Sequence, residues 1–329
     1  MDLSTTYMGF DLPHPLVPGA SPMMDDLDTV RRLEDAGAPM VVMPSLFEEQ
    51  IVGEQLAVVR SLEAGDESYS EALSYFSQAP SFALSPDDYL GQIARIKSAV
   101  SVPLIASLNG VTEGGWLAYA RLIEQAGADG LELNIYELAT DPDERGEQLE
   151  RRALQVAKAV KQSVSIPVAV KLSPFYSALA HFCKQLDELG ANAIVLFNRF
   201  FQPDIDVEQL DVLRINLSSS AELLLRLRWL AILSGRIRAS LAATGGVHTA
   251  IDAIKAVMVG AHSVQMVSAL LEHGPMHLKE VRKDMERWMD EHEYHSLRQM
   301  QGSMSLLRCP NPKAYERANY VRILQSWHS

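Results

Sequence analysis

A glycine that ends a helix, followed at once by an apolar run, recurs along this chain and limits the folds open to it. Ala-Gly-Ala or a near-variant stands at 36–38, 126–128, 189–191 and 259–261, each time between an amphipathic stretch and a strand candidate. Glycine accepts the left-handed backbone that closes a helix, so each copy marks a helix-to-strand joint. Apolar positions at helical spacing run through 25–36 (Leu27, Val30, Leu33), 87–99, 113–126, 147–163, 176–189 and 248–259. Strand candidates lie at 16–17, 40–43, 103–108, 130–134, 167–172, 193–197, 239–243 and 263–267. Strands that alternate with helices pair in parallel, and eight of them close more naturally into a (β/α)8 TIM barrel than into an open sheet. No GxGxxG follows the first strand, which speaks against a dinucleotide-binding open sheet.

The whole chain, 1–329, reads as one barrel domain with two departures from the repeat. The stretch 45–101 reads as an insertion or lid region after strand two, which Pro44 is expected to stop. It holds a helix near 46–62 and a polar, Ser- and Gly-containing segment at 63–81. Residues 276–329 read as an amphipathic helical tail that packs outside the barrel or on a partner subunit. The Leu-rich run 223–233 reads as a core helix, since it is short and carries Arg226 and Arg228.

Composition removes several classes of function. Forty-two acidic against 29 basic residues leave a net charge of −13, a field that repels nucleic-acid backbones and anionic membranes. The N-terminus has no cationic segment followed by an apolar one, and no apolar run is long enough to span a bilayer. Cys183 and Cys309 lie far apart in no metal-like spacing, and His273 and His277 lack the acidic neighbours of a zinc motif. A reduced cytoplasmic protein without disulfides or a metal site is expected.

In a barrel of this kind the chemistry sits at the C-terminal strand ends, with phosphate held after strands seven and eight. Strand seven ends in Ala243-Thr244-Gly245-Gly246-Val247, and Val267-Ser268 follows strand eight. Two glycines let backbone N–H groups approach a phosphate, and the next helix adds its dipole. A tight turn without a ligand is the plainer reading, but the position at strand seven favours phosphate. Lys171 ends strand five, where its charge needs a partner; a structural salt bridge, an anion or flavin contact and a Schiff-base nucleophile all fit it. Strand three ends in Asn109, strand four in Glu132-Leu133-Asn134-Ile135-Tyr136-Glu137, and strand six in Asn198-Arg199. One strand-end asparagine is commonly a turn residue; three around Lys171 form a polar ring.

These residues resemble the dihydroorotate dehydrogenase family, over roughly 8–290 and most closely over 243–276. Thr244-Gly245-Gly246-Val247 matches the family's phosphate motif, and Val267-Ser268 matches its strand-eight pair in part. Lys171 resembles the lysine that meets the flavin ring, and Asn134 and Asn198 resemble the strand-four and strand-six asparagines. Ala20-Ser21 resembles the N-terminal turn over the flavin, with Pro22 where the family has glycine. The resemblance implies noncovalent FMN held by Ala20, Ser21, Asn109, Asn134, Lys171, Gly245, Gly246, Val267 and Ser268. It also implies a small-molecule substrate on Asn134 and Asn198, and it is compatible with a homodimer.

The departures concern the substrate. The family's lysine after strand two is replaced by the stretch Val42-Met43-Pro44-Ser45, and its substrate-holding asparagine loop has no counterpart in 63–81. Where the family places a Cys or Ser base, this chain has Glu137. The Gly-rich strand after strand six is replaced by 216–220. The expected function is therefore FMN-dependent oxidation at a CH–CH bond of a substrate that need not be dihydroorotate. Lys171 lies at the flavin, and Glu137, or failing it Tyr136, serves as acid/base. Authentic dihydroorotate oxidation in pyrimidine biosynthesis, a Schiff-base lyase using Lys171, and an FMN-binding pseudoenzyme stand as alternatives. No cysteine-rich cluster motif occurs, so electrons leave to an acceptor that the sequence does not name.

Overall fold

The computed structural model describes residues 1–53, 85–110, 114, 117–199, 204–213, 217–315 and 324–326. Strands and helices are numbered in chain order. Eight parallel strands carry the fold: β3 (Leu16–Pro18), β4 (Val41–Phe47), β5 (Leu104–Asn109), β6 (Gly130–Asn134), β7 (Val168–Leu172), β8 (Ala193–Leu196), β11 (Ser240–Thr244) and β12 (Ser263–Met266). Their order is β3-β12-β11-β8-β7-β6-β5-β4, and the two ends of that order, β3 and β4, lie against each other. This is the expected (β/α)8 barrel.

Helices α1 (Leu27–Asp35), α2 (Pro86–Ala99), α3 (Leu117–Gln125), α4 (Gly146–Ser163), α5 (Leu179–Glu188), α6 (Leu223–Leu233) and α7 (Ala250–Met258) alternate with the strands. Three start on side-chain caps: Asp26 accepts from Thr29 N–H, Ser85 from Asp88 N–H, and Thr249 from Asp252 N–H. The recurring joints behave as their sequence requires, with Gly37, Gly127, Gly190 and Gly260 all at positive φ.

The barrel interior forms its own apolar cluster from alternate strand positions, among them Val17, Val42, Ile105, Ala169, Val195 and Ala242. A hairpin that the sequence reading missed, β1 (Thr5–Tyr7) and β2 (Phe10–Leu12), joins this cluster through Tyr7, Met8 and Leu12. Its turn residues Met8 and Gly9 both have positive φ, the geometry of a two-residue hairpin whose twist suits the flanking strands. The hairpin thus packs its apolar residues onto the interior cluster of the barrel.

Strand two departs from expectation. It does not stop at Pro44: β4 runs to Phe47, with a shift in register between Val42 and Ser45. Proline has no N–H for the ladder, and a bulge accommodates it without ending the strand. Residues 48–53 continue as helix, and the polar segment 63–81 lies outside the described residues. A second unexpected hairpin, β9 (Asp204–Asp206) with β10 (Asp211–Leu213), follows barrel strand six. A short helix, α8 (Ser268–His273), follows β12, and in the tail α9 (His277–Glu291) and α10 (Leu297–Met300) are helical. Leu278, Val281, Met285 and Met289 bury one face of α9 in the main core, where it lies against α7 outside the barrel.

Candidate active site

A polar layer crosses the otherwise apolar barrel interior. Glu132 from β6 accepts from Lys171 Nζ of β7 at 3.1 Å and from Gln265 Nε2 of β12 at 3.0 Å. All three side chains are buried, so each donor and the carboxylate need the other's company. The lysine is thus salt-bridged and, at the same time, reaches the open end. Beneath the layer, burial and the Glu132 charge push the Tyr7 phenol well above its ordinary pKa, which keeps the floor neutral.

One step higher, strand register aligns Phe47 with Asn109, Asn109 with Asn134, and Asn134 with Lys171. Four neighbouring strands therefore end at one level, three of them in polar side chains. Asn134 Nδ2 donates to Ser45 Oγ at 3.3 Å, and the Ser45 and Ser107 hydroxyls share a hydrogen bond of 2.7 Å. Asn198 Nδ2 donates to the Ile135 carbonyl at 3.1 Å, which ties strand six to strand four. Tyr89 braces this wall from outside, donating to the Pro44 carbonyl and accepting from Ser107 N–H.

Two cavities open over these strand ends. One, of about 200 Å³, follows β11 and β12 and is lined by Thr244, Gly245, Gly246, Gln265, Val267 and Ser268. The other, of about 420 Å³, lies over β4 to β7 and is lined by Ser21, Ser45, Asn109, Asn134, Tyr136 and Asn198. Ala20, Lys171 and Arg199 line both, so the cavities adjoin at the lysine. Neither lining includes an acidic side chain, in a chain whose net charge is −13. Every site residue expected from sequence lies on one of these walls except Glu137.

Glu137 is turned away. Its carboxylate pairs with Arg152, whose other amino group reaches Glu144 at 2.8 Å. It lines a separate cavity of about 250 Å³ with Ser173, Phe175 and Tyr176. β6 ends at Asn134, and Glu137, three residues on, is drawn to Arg152 of α4. Glu137, the residue expected as acid/base, therefore lines neither of the two cavities that adjoin at Lys171. Tyr136 is the member of that pair on the cavity wall.

Sequence reasoning also missed residues. Gln265 is a polar side chain at an inward position of an apolar strand, a signal that could have been read. Ser45 was hidden by the assumption that Pro44 ends its strand. Arg199 stood beside the predicted Asn198 without a role.

Three buried polar atoms on these walls have no hydrogen-bond partner: Gln265 Oε1 in the first cavity, and Ser21 Oγ and Asn134 Oδ1 in the second. Buried polar atoms in native proteins are almost always paired, so these await a ligand's donors. At the double-glycine turn, Gly245 and Gly246 have φ of 86° and 81°. A Cβ on Gly246 would lie 2.5 Å from Leu223 N, so no side chain fits between turn and helix. Among the described residues the Gly245 and Val247 N–H groups have no acceptor, and Gly246 N–H meets Ser218 Oγ at a long 3.4 Å. Backbone donors, lining cations and orphan acceptors together suit a flavin that carries a phosphate.

The geometry defines a class: a (β/α)8 barrel with adjoining ligand cavities at the C-terminal strand ends and a double-glycine turn after strand seven. Comparison with known proteins gives the family. The sequence profile for dihydroorotate dehydrogenase matches residues 86–289. The chain is similar to the dihydroorotate dehydrogenase B (NAD(+)) catalytic subunit of Thermoplasma acidophilum, at 25% identity over 314 residues, 92% of this chain and 98% of that protein. It is also similar to a putative dihydroorotate dehydrogenase A (fumarate) of Aeropyrum pernix, at 28% identity over 223 residues, covering 64% of this chain and 70% of that one. A third relative, the B-type catalytic subunit of Methanocella arvoryzae, is 28% identical over 285 residues, with 83% and 88% covered. The chain belongs to the dihydroorotate dehydrogenase family. Members of that family are FMN-dependent oxidoreductases acting on CH–CH bonds, and no described helix of this chain is long and apolar enough to cross a membrane.

Proposed function

We propose that this protein is an FMN-dependent oxidoreductase that acts on a CH–CH bond of a small molecule whose recognition differs from that of dihydroorotate. The carrying observation is the pair of adjoining cavities that meet at Lys171, one ending in the Gly245-Gly246 turn and the other in the asparagine ring. The first would hold FMN, with the turn and Ser268 at its phosphate and Lys171, Ala20 and Gln265 towards its ring. FMN when bound would supply a two-electron hydride acceptor. Lys171 donates to the buried Glu132 carboxylate, which holds its amino group in place. The same pairing disfavours a Schiff-base lyase, whose lysine must give up a proton.

The second cavity would take the substrate. Asn109, Asn134 and Asn198 offer donors and acceptors that fix a polar ring, and the Tyr136 hydroxyl stands on the same wall as the group that exchanges the proton. The stretch Val42-Met43-Pro44-Ser45 carries no lysine where the resembled family has one after strand two, which supports an altered substrate. The names of the similar proteins favour dihydroorotate itself as the second reading and a nicotinamide, reached through a partner subunit, as acceptor.

The visible spectrum of the purified protein tests the first claim, with flavin bands expected near ~450 nm. A folded, colourless protein that takes up no added FMN refutes it. Anaerobic dihydroorotate then separates the readings: bleaching at a catalytic rate selects the second, and no bleaching the first.

A further inference from the structure

Arg226, in the first turn of α6, belongs to neither cavity wall and to no part of the expected site, yet it is buried. Its Nε donates to the Thr244 carbonyl at 2.9 Å and its Nη1 to the Glu222 carbonyl at 2.7 Å. Its remaining amino group packs against the phosphate turn: a Cβ on Gly245 would lie 2.7 Å from Nη2. A buried guanidinium is costly unless a negative charge answers it. Among the described residues no carboxylate lies within ion-pair distance of it. The nearest, Glu222, is turned back on its own helix start, where it accepts from Ser219 N–H. Burial lowers the Arg226 pKa from its ordinary value; the Glu222 charge opposes this in part, and the other charged neighbour, Arg199, adds to it by repulsion. An arginine held by two carbonyls, in no ion pair among the described residues and with a second cation near it, marks a place where further negative charge would be stabilised.

We infer that Arg226 is the buried counter-charge of the cofactor phosphate, a positioning residue that acts through the Gly245-Gly246 turn and makes the site select a phosphorylated flavin over an unphosphorylated one. This rests on the FMN reading above. By clamping the Thr244 carbonyl it fixes the direction of the N–H groups that follow. By placing a desolvated cation under them it strengthens the field at the phosphate, where water cannot screen it. A merely structural arginine would hold the turn equally for any flavin; a counter-charge distinguishes flavins by their phosphate.

The experiment is a fluorescence-quenching titration of FMN and of riboflavin into the full chain stripped of flavin, for wild type, Arg226→Gln and Arg226→Lys. Wild type is expected to prefer FMN. Arg226→Gln should weaken FMN by about tenfold or more while riboflavin changes by less than about threefold. Arg226→Lys keeps the charge on a shorter arm and cannot donate to both carbonyls, so it should lose part of the preference. Should the glutamine variant fail to fold, the lysine variant alone decides. Equal losses for both flavins, or an unchanged preference in the variants, overturn the inference while leaving the FMN reading in place. A wild type that shows no preference for FMN overturns the FMN reading itself.

Discussion

Replacing Glu132 with methionine is the most direct probe of the layer that joins the two cavities. Its side chain is 1% exposed and that of Lys171 is 11% exposed, with 3.1 Å between the charges. At an effective dielectric of ~20 that separation corresponds to about 5 kcal/mol of attraction, much of it offset by the cost of drying both groups. Methionine removes the attraction but leaves the ammonium and the Gln265 amide inside the barrel. The expected loss of stability is about 3–5 kcal/mol, the cost of a buried charge without its partner. Lys171→Met strands the carboxylate and should cost a similar amount. The double replacement removes both charges and fills the space with two apolar chains of similar volume, so it should cost no more than about 1–2 kcal/mol. The double-mutant cycle then yields a coupling of about 3 kcal/mol or more. Urea unfolding of the flavin-free full chain is the assay, because bound FMN would stabilise the variants unequally by mass action. If the double variant loses the sum of the two single losses, the pair is uncoupled and the account of the polar layer fails.

Three further outcomes follow from the same structure. Gly246→Ala forces a Cβ to 2.5 Å from Leu223 N at a φ of 81°, so both thermal stability and FMN retention should fall, and a yellow variant with wild-type melting would contradict the cradle. Glu137→Gln should change turnover by less than about threefold, whereas Tyr136→Phe should lower it by about 100-fold or more; steady-state rates with the true donor decide, and the reverse order would return the proton to Glu137. Burial lowers the His14 pKa to about 4; its Nε2 is hydrogen-bonded to the Gly37 carbonyl, and its Nδ1 is buried without an acceptor. Because the folded value lies below the unfolded one, His14 contributes stability fully above the unfolded pKa and loses it as pH falls towards 4, by about 2 kcal/mol between pH 7 and pH 5. His14→Gln should flatten the urea midpoint over that window, and an unchanged slope would remove the assignment.

Which parts were readable from sequence follows from what determines each. The joint glycines and the Gly245-Gly246 turn are backbone requirements, and a backbone requirement leaves few residue choices, so residue type alone revealed them. The strand ends Asn109, Asn134 and Lys171 followed from counting strands. The Arg152 partner of Glu137 was not legible, because three residues past a strand end a side chain's partner depends on packing. Pro44 misled because a proline stops a strand only where its missing N–H would have been used, and the bulge at β4 spares it. Arg226 read correctly as part of a core helix, but its place under the turn is a contact across 18 residues of sequence with no local signal. The hairpin at the barrel floor went unseen because its strands are only three residues each.

The two cavities are separable in a way that bears on how the substrate could change while the cofactor stayed. The end over β11 and β12 is built from backbone donors and positive-φ glycines, where nearly any substitution meets a helix or a guanidinium. The end over β4 to β7 is built from side chains on strand tips, such as Ser45, Tyr136 and Asn198, whose removal alters a wall and not the floor. Beneath both, Glu132 bonds at once to Lys171 and to Gln265, so it serves the two cavities together. A change at the mouth therefore leaves the polar layer and the phosphate turn intact. Arg199, which faces both cavities with no acidic neighbour on either wall, gives the mouth a cation although no lysine stands in the strand-two stretch 42–45. On the proposed reading of a different substrate, an anionic group is what such a wall would retain, held from strand six instead of strand two.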